Sequence, residues 1–159
     1  MRILAVDWGG RRIGLAVSDP GGVIATPLPT LTVRGREDAV GRVAAVAGET
    51  EAERIVVGLP LQMSGERGEA ALAAERFVAA LKRRTTVPIH TYDERLTSAM
   101  SQRRMHERGE RTGRSKGRVD AGAAVALLES YLTRLASTRD DRPWPRAGRP
   151  PAPRRLPGR

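Results

Sequence analysis

The chain changes its hydrophobic period after the first third, and that change limits what it can fold into. Arg2 to Asp7 (RILAVD) is apolar on both faces, as expected of a strand covered from both sides. A turn, Trp8-Gly9-Gly10-Arg11-Arg12, leads into a second apolar run, Ile13 to Ser18. So short a connection permits a hairpin but no parallel crossover. After Asp19-Pro20-Gly21-Gly22, residues 23–33 predict a third strand. Pro27 and Pro29 remove ladder donors there, so it belongs at an edge or is only partly paired.

The helical period then takes over. Val40, Val43, Ala44 and Ala47 predict a helix over 37–49, with Glu37 and Asp38 in its first turn. Arg54 to Leu59 (RIVVGL) is a buried-strand run stopped by Pro60, and residues 61–68 form a loop. An Ala-rich helix is expected over 69–84, a fifth strand over 87–92, a helix over 97–108 and a mobile loop over 109–117. A last helix is expected over 119–135. The order is βββαβαβαα, a meander followed by alternating helices and strands, which predicts a mixed sheet flanked by helices.

Charge divides the chain differently. There are 159 residues with 28 Lys+Arg against 18 Asp+Glu, a net charge of +10. Segment 103–118 carries Arg103, Arg104, Arg108, Arg111, Arg114, Lys116 and Arg118 against Glu107 and Glu110, giving +5. Residues 139–159 hold seven arginines against Asp140 and Asp141, another +5, which leaves the remainder neutral. Two basic segments on a neutral body suit a polyanion, nucleic acid first, although solubility is the plainer explanation. No membrane partner is expected, because neither segment has the apolar face of an interfacial helix. Six prolines and seven arginines in 139–159 predict a disordered tail behind one folded domain, 1–138. With no Cys there is no disulfide framework and no cysteine nucleophile. No apolar run approaches the roughly 20 residues that cross a bilayer, and the N-terminus lacks a signal-peptide pattern, so a cytoplasmic location is expected.

Three carboxylates fall at the ends of elements. Asp7 closes the first run where the glycines begin, Asp93-Glu94 closes the fifth, and Asp120 falls in the first turn of the last helix. Each has an ordinary local explanation: a turn residue, a helix cap, and a carboxylate facing a helix dipole. Together they suggest more. In open α/β sheets ligands bind beyond the carboxyl ends of parallel strands, where Asp7 and Glu94 both fall if their strands are parallel. The small residues after Asp120, Ala121 to Ala124, would let that helix approach the sheet. Three carboxylates within ~4 Å repel by about 4 kcal/mol per pair at an effective dielectric of 20, so such a cluster takes up protons or a cation. All-oxygen ligands select Mg²⁺ or Mn²⁺, and two such ions ~3.5–4 Å apart suit phosphodiester hydrolysis. His90, in the fifth strand, reads as structural. No P-loop or H-E-x-x-H is present.

Four motifs then resemble one family. They are Asp7-Trp8-Gly9-Gly10-Arg11-Arg12-Ile13-Gly14-Leu15-Ala16, Val57-Gly58-Leu59-Pro60, Asp93-Glu94-Arg95-Leu96-Thr97 and Val119-Asp120-Ala121-Gly122-Ala123-Ala124. In this order they resemble the YqgF family, also called RuvX-type Holliday junction resolvases or pre-16S ribosomal RNA nucleases, over about residues 1–135. The resemblance implies a ribonuclease H-like fold and a metal-dependent endonuclease acting on branched DNA or precursor ribosomal RNA. It carries catalytic and metal-ligating roles onto Asp7, Glu94 and Asp120, and it decides for Glu94 over Asp93. Arg11 stands where the family often has Lys, and Ser98 where it often has Thr.

The remaining residues can be given roles on physical grounds. Gly9 and Gly10 would let a phosphate approach the backbone, Arg11 and Arg12 could contact it or simply be solvated, Gly58-Leu59-Pro60 is expected to shape the crevice floor, and 103–118 is the candidate clamp on the nucleic acid or else a solvated charged loop. Junction cleavage usually calls for two symmetric sites, so a homodimer would favour branched DNA. Two other readings compete: a non-catalytic RNA-binding protein, and an ATP-binding protein of the actin/hexokinase type, for which the chain looks short.

Overall fold

A computed structural model of the chain describes residues 1–62, 64–97 and 116–138, with 116–121 given by backbone alone. The helix expected over 97–108, most of the loop expected over 109–117 and the tail 139–159 lie outside the described residues. The strands are β1 (Ile3–Trp8), β2 (Arg12–Ser18), β3 (Ala25–Thr32), β4 (Arg54–Leu59) and β5 (Ile89–Asp93). The helices are α1 (Arg36–Glu49), α2 (Glu69–Lys82) and α3 (Lys116–Ser137). They form one five-stranded sheet in the order β3-β2-β1-β4-β5. β1, β2 and β3 pair antiparallel, while β1, β4 and β5 run parallel. The proline-containing β3 is an edge strand, as its missing donors require.

Alternation along the strands sorts side chains between two cores. Leu4, Val6, Ile13, Leu15, Ile55 and Val57 face α1 and α2, where Val43, Phe77 and Leu81 complete a buried cluster. Ile3, Ala5, Ala16, Val56 and Tyr92 face the other way and pack on Ala124, Leu127, Leu128 and Leu132 of α3. The sheet is therefore a middle layer, with two helices on one side and one on the other. Polar bonds also tie α3 to the sheet. The buried Arg54 donates from Nη1 to the Tyr131 hydroxyl at 3.0 Å, and the Tyr92 and Ser130 hydroxyls are 2.8 Å apart.

Trp8, the last residue of β1, stacks on Phe77 of α2 with ring centroids 4.6 Å apart and planes 14° from parallel. This contact holds the end of β1 in place and, by alternation, sends Asp7 to the opposite face. Phe77 is fully buried. Truncating it to Ala leaves a cavity under that end of β1, and we expect a stability loss of about 3–5 kcal/mol in urea denaturation.

Two expectations are corrected at α3. The helix begins at Lys116, inside the segment expected to be a loop, and its first turn contains no acid. Asp120 thus lies in the second turn, where the dipole explanation weakens. Lys116 and Arg118, placed with the basic loop, are on this helix. The small residues of 121–124 also do not act alike. Ala124 is buried against the sheet, but Gly122 is exposed, and a Cβ there would meet nothing within 4 Å.

Candidate active site

The parallel strands β1, β4 and β5 end side by side, and the acidic residues gather at that end. Asp7 does not terminate its strand: it pairs with Gly14, and β1 continues to Trp8. The turn-residue explanation for Asp7 therefore falls. On β5, the register sets Tyr92 beside Gly58 and Asp93 beside Leu59. Tyr92 faces α3, so two residues further Glu94 faces α3 as well. Its backbone N–H donates to the Leu59 carbonyl at 3.1 Å, which continues the ladder one step past the strand.

Glu94 lies over Gly58 and hydrogen-bonds the Asp7 side chain. Its carboxyl is pushed up to about 8, first by burial, then by the hydrogen bond to Asp7, then by the negative charges of Asp7 and Asp93. Near neutral pH Glu94 therefore keeps its proton, held against Asp7.

Asp93 has a different fate. Its Oδ1 accepts the Arg95 backbone N–H at 2.9 Å, and its Oδ2 accepts Arg95 Nη2 at 2.6 Å. The Arg95 guanidinium lowers the Asp93 pKa below its ordinary value. Asp93 is thus tied to its own turn while Glu94 lies against Asp7, a division that local pattern leaves open and the family resemblance makes in the same sense. Thr97 Oγ donates to the Glu94 carbonyl at 2.8 Å, fixing the backbone that carries Glu94.

Asp120 is placed by its helix. The Arg54–Tyr131 bond and the approach of Leu132 to Gly22 put the C-terminal half of α3 near the start of β4 and the β2–β3 turn. From Tyr131 back to Asp120 the helix rises about 16 Å, comparable to five strand residues at about 3.3 Å each. The N-terminal part of α3 thus runs toward the strand ends that carry Asp7 and Glu94. Among the described side chains no group of three potential metal ligands occurs; Asp7 and Glu94 are brought together as a pair.

Beside the pair lies the β1–β2 turn. Gly9 N–H donates to the Arg12 carbonyl at 3.0 Å, and a Cβ on Gly9 would stand 2.6 Å from that oxygen. Gly10 has a φ of 83°. The turn itself thus requires both glycines. Arg11 and Arg12 are exposed on it. Arg103, Arg104, Arg108, Arg111 and Arg114 lie outside the described residues.

His90 takes no part. Burial, then the positive charges of Arg54 and Lys82, push it down to about 4, so it is neutral at neutral pH. It lines a cleft of about 290 Å³ beside the edge strand β5, with Tyr92, Asp93, Leu96, Tyr131 and Leu135. Among the described residues no helix is long and apolar enough to cross a membrane.

A mixed sheet with this strand order, flanked by helices on both faces, has the ribonuclease H-like arrangement. Solved structures share the fold. Thermus thermophilus RuvC in complex with a Holliday junction substrate superposes with a TM-score of 0.55, covering 86% of this chain and 97% of that one at 19% identity. The fowlpox virus Holliday junction resolvase gives 0.53 at 12% identity, with 84% and 99% covered. The sequence is more specific. Residues 1–134 match the model of the RuvX family, described as Holliday junction resolvase. A Chloroflexus aggregans protein named "Putative pre-16S rRNA nuclease" is 41% identical over 130 residues, 82% of this chain and 92% of its own. One of the same name from Koribacter versatilis is 39% identical over 141 residues, 88% and 92%. The chain belongs to the RuvX family of nucleases.

Proposed function

We propose that this chain is a metal-dependent endonuclease whose catalytic and metal-ligating residues are Asp7, Glu94 and Asp120, acting on structured nucleic acid. The substrate is branched DNA, the 5′ end of precursor 16S ribosomal RNA, or both. The observation that carries the reading is the hydrogen bond that sets the Asp7 and Glu94 carboxyls against each other at the ends of the parallel strands. Two carboxyls held that close are a poor arrangement for stability alone and a good one for a hard cation. Their donor atoms are all oxygen, which fits Mg²⁺ or Mn²⁺. When bound, such ions, two in the arrangement proposed, supply an activated water and stabilise the leaving oxygen of a phosphodiester.

The chain's own residues do the rest. Asp7 is held by the ladder to Gly14 and by the neighbouring Trp8–Phe77 stack. Glu94 would hold the cation in its ionised form. Arg11 and Arg12 contact backbone phosphates beside the carboxylates, where the open backbone at Gly9 and Gly10 admits them. The basic segment 103–118, through Arg103, Arg104, Arg108, Arg111, Arg114, Lys116 and Arg118, holds the backbone further out. Such substrates place the work in the cytoplasm.

Side-by-side cleavage of a four-way DNA junction and of precursor 16S RNA, with Mg²⁺ or Mn²⁺, tests this. Cutting of neither substrate under any of these conditions removes the proposed activity. Junction resolution also predicts a homodimer carrying two sites, so a monomer in solution favours RNA. A non-catalytic RNA-binding protein would instead bind with a steep salt dependence and cut nothing. The ATP-binding alternative needs two domains closing on the nucleotide, and the described residues form one sheet.

A further inference from the structure

We infer that Gly58 is a positioning residue: its bare α-carbon is the seat on which Glu94 lies, and it fixes where that carboxylate meets Asp7. The inference rests on reading Asp7 and Glu94 as the cation-holding pair. Gly58 is buried inside β4 and pairs with Tyr92 in the ladder. A glycine inside a strand weakens it and needs a reason. The reason is not conformational, because Gly58 is absent from the positive-φ glycines Gly10, Gly22, Gly35 and Gly65. It is steric. A Cβ on Gly58 would stand 2.5 Å from Glu94 Oε1, 3.0 Å from its Cγ and 3.2 Å from its Cδ. The Glu94 chain therefore runs flat across the space that any side chain at 58 would fill.

Glu94 is well placed to yield to such an intrusion. It lies beyond the end of β5, and its backbone is held by the bonds to Leu59 and Thr97. An added methyl at 58 leaves that backbone in place and turns the side chain away from Asp7. Gly9 differs, since a Cβ there meets a backbone carbonyl of its own turn. Gly68 differs too, since its nearest neighbour would be the amide end of Gln62 at 3.0 Å. At Gly58 the displaced group is a carboxylate of the proposed site.

The test is a double-mutant cycle on the full chain, with Gly58→Ala and Glu94→Ala singly and together. Two quantities are read: the urea midpoint of the metal-free protein at pH 6, and Mn²⁺ affinity by calorimetry. With Glu94 present, Gly58→Ala lowers the midpoint and weakens Mn²⁺ binding about tenfold or more, as expected when a ligand is misplaced. With Glu94→Ala, the same change raises the midpoint, because Ala suits a strand better than Gly once nothing lies above it. It then leaves Mn²⁺ affinity unchanged. An equal midpoint shift in both backgrounds overturns the positioning role. The expected midpoints with Mn²⁺ binding indifferent to Glu94→Ala overturn instead the cation-holding reading on which the inference stands.

Discussion

Asp7→Asn is expected to lower the cleavage rate by about 10³-fold or more while leaving nucleic-acid binding intact and making the metal-free protein more stable above neutral pH. Three separate physical consequences are combined in that expectation. The amide keeps the size and ladder position of Asp7 opposite Gly14, so the fold has no reason to change. It removes a charged oxygen ligand from the proposed cation site, and loss of a group that acts as part of a unit costs orders of magnitude in rate. It also removes the negative charge that helps raise Glu94, whose carboxyl stands at about 8 against an ordinary 4.5.

The sign of the stability effect follows from linkage. A carboxyl whose pKa is raised by folding contributes fully below its unfolded value, and that contribution is lost as pH rises through its folded value. The metal-free protein should therefore lose stability between about pH 4.5 and pH 8. Asp7→Asn should flatten part of that fall. Single-turnover cleavage, filter binding and urea midpoints at pH 5 and pH 8 check the three consequences. Undiminished cleavage by the variant would sink the assignment of Asp7.

Most of the fold was legible because short apolar runs bounded by turn residues alternate with stretches of helical period along the chain. β4 lies where Arg54 to Leu59 predicts it, and Pro27 and Pro29 mark β3 as an edge. The start of α3 was less legible. Gly113, Ser115 and Gly117 read as breakers, yet the helix has already begun at Lys116. Helix propensity is a weak signal at such a boundary.

At the site, carboxylates at strand ends were visible in the sequence. Which of two adjacent acids faces the crevice was told only by the family resemblance. That choice depends on the register of β5 against β4, a long-range pairing that no local pattern carries. The role of Gly58 was hidden for the same reason. A missing side chain is a signal only once the group above it is known, and Glu94 arrives from a different strand. The sequence pointed to this stretch only as the crevice floor. The two glycines of the β1–β2 turn illustrate the converse: they invite a ligand-binding explanation, and the turn accounts for them first.

The second large expected effect concerns pH. Glu94 is protonated near neutrality in the metal-free protein, and a carboxyl must be ionised to serve as a cation ligand. Metal uptake therefore releases a proton. For a single group titrating at about 8, the apparent affinity for Mg²⁺ or Mn²⁺ should rise about 50-fold between pH 6 and pH 8 and level off above that. Cleavage at limiting metal should follow the same rise. At saturating metal the dependence should shrink, because the cation then displaces the proton throughout the range. Calorimetry in two buffers of different ionisation enthalpy should record about one proton released per cation bound at pH 7. Glu94→Gln has no proton to release, so its residual Mn²⁺ binding should lose this slope even though it is weaker at every pH. His90 is not a rival source of the slope, since it is already neutral above about pH 4. An affinity that is flat from pH 6 to pH 8 in the unaltered protein would mean that the cation does not compete with the proton on Glu94. The carboxylate pair would then be structural, and the chemistry would have to be sought elsewhere in the fold.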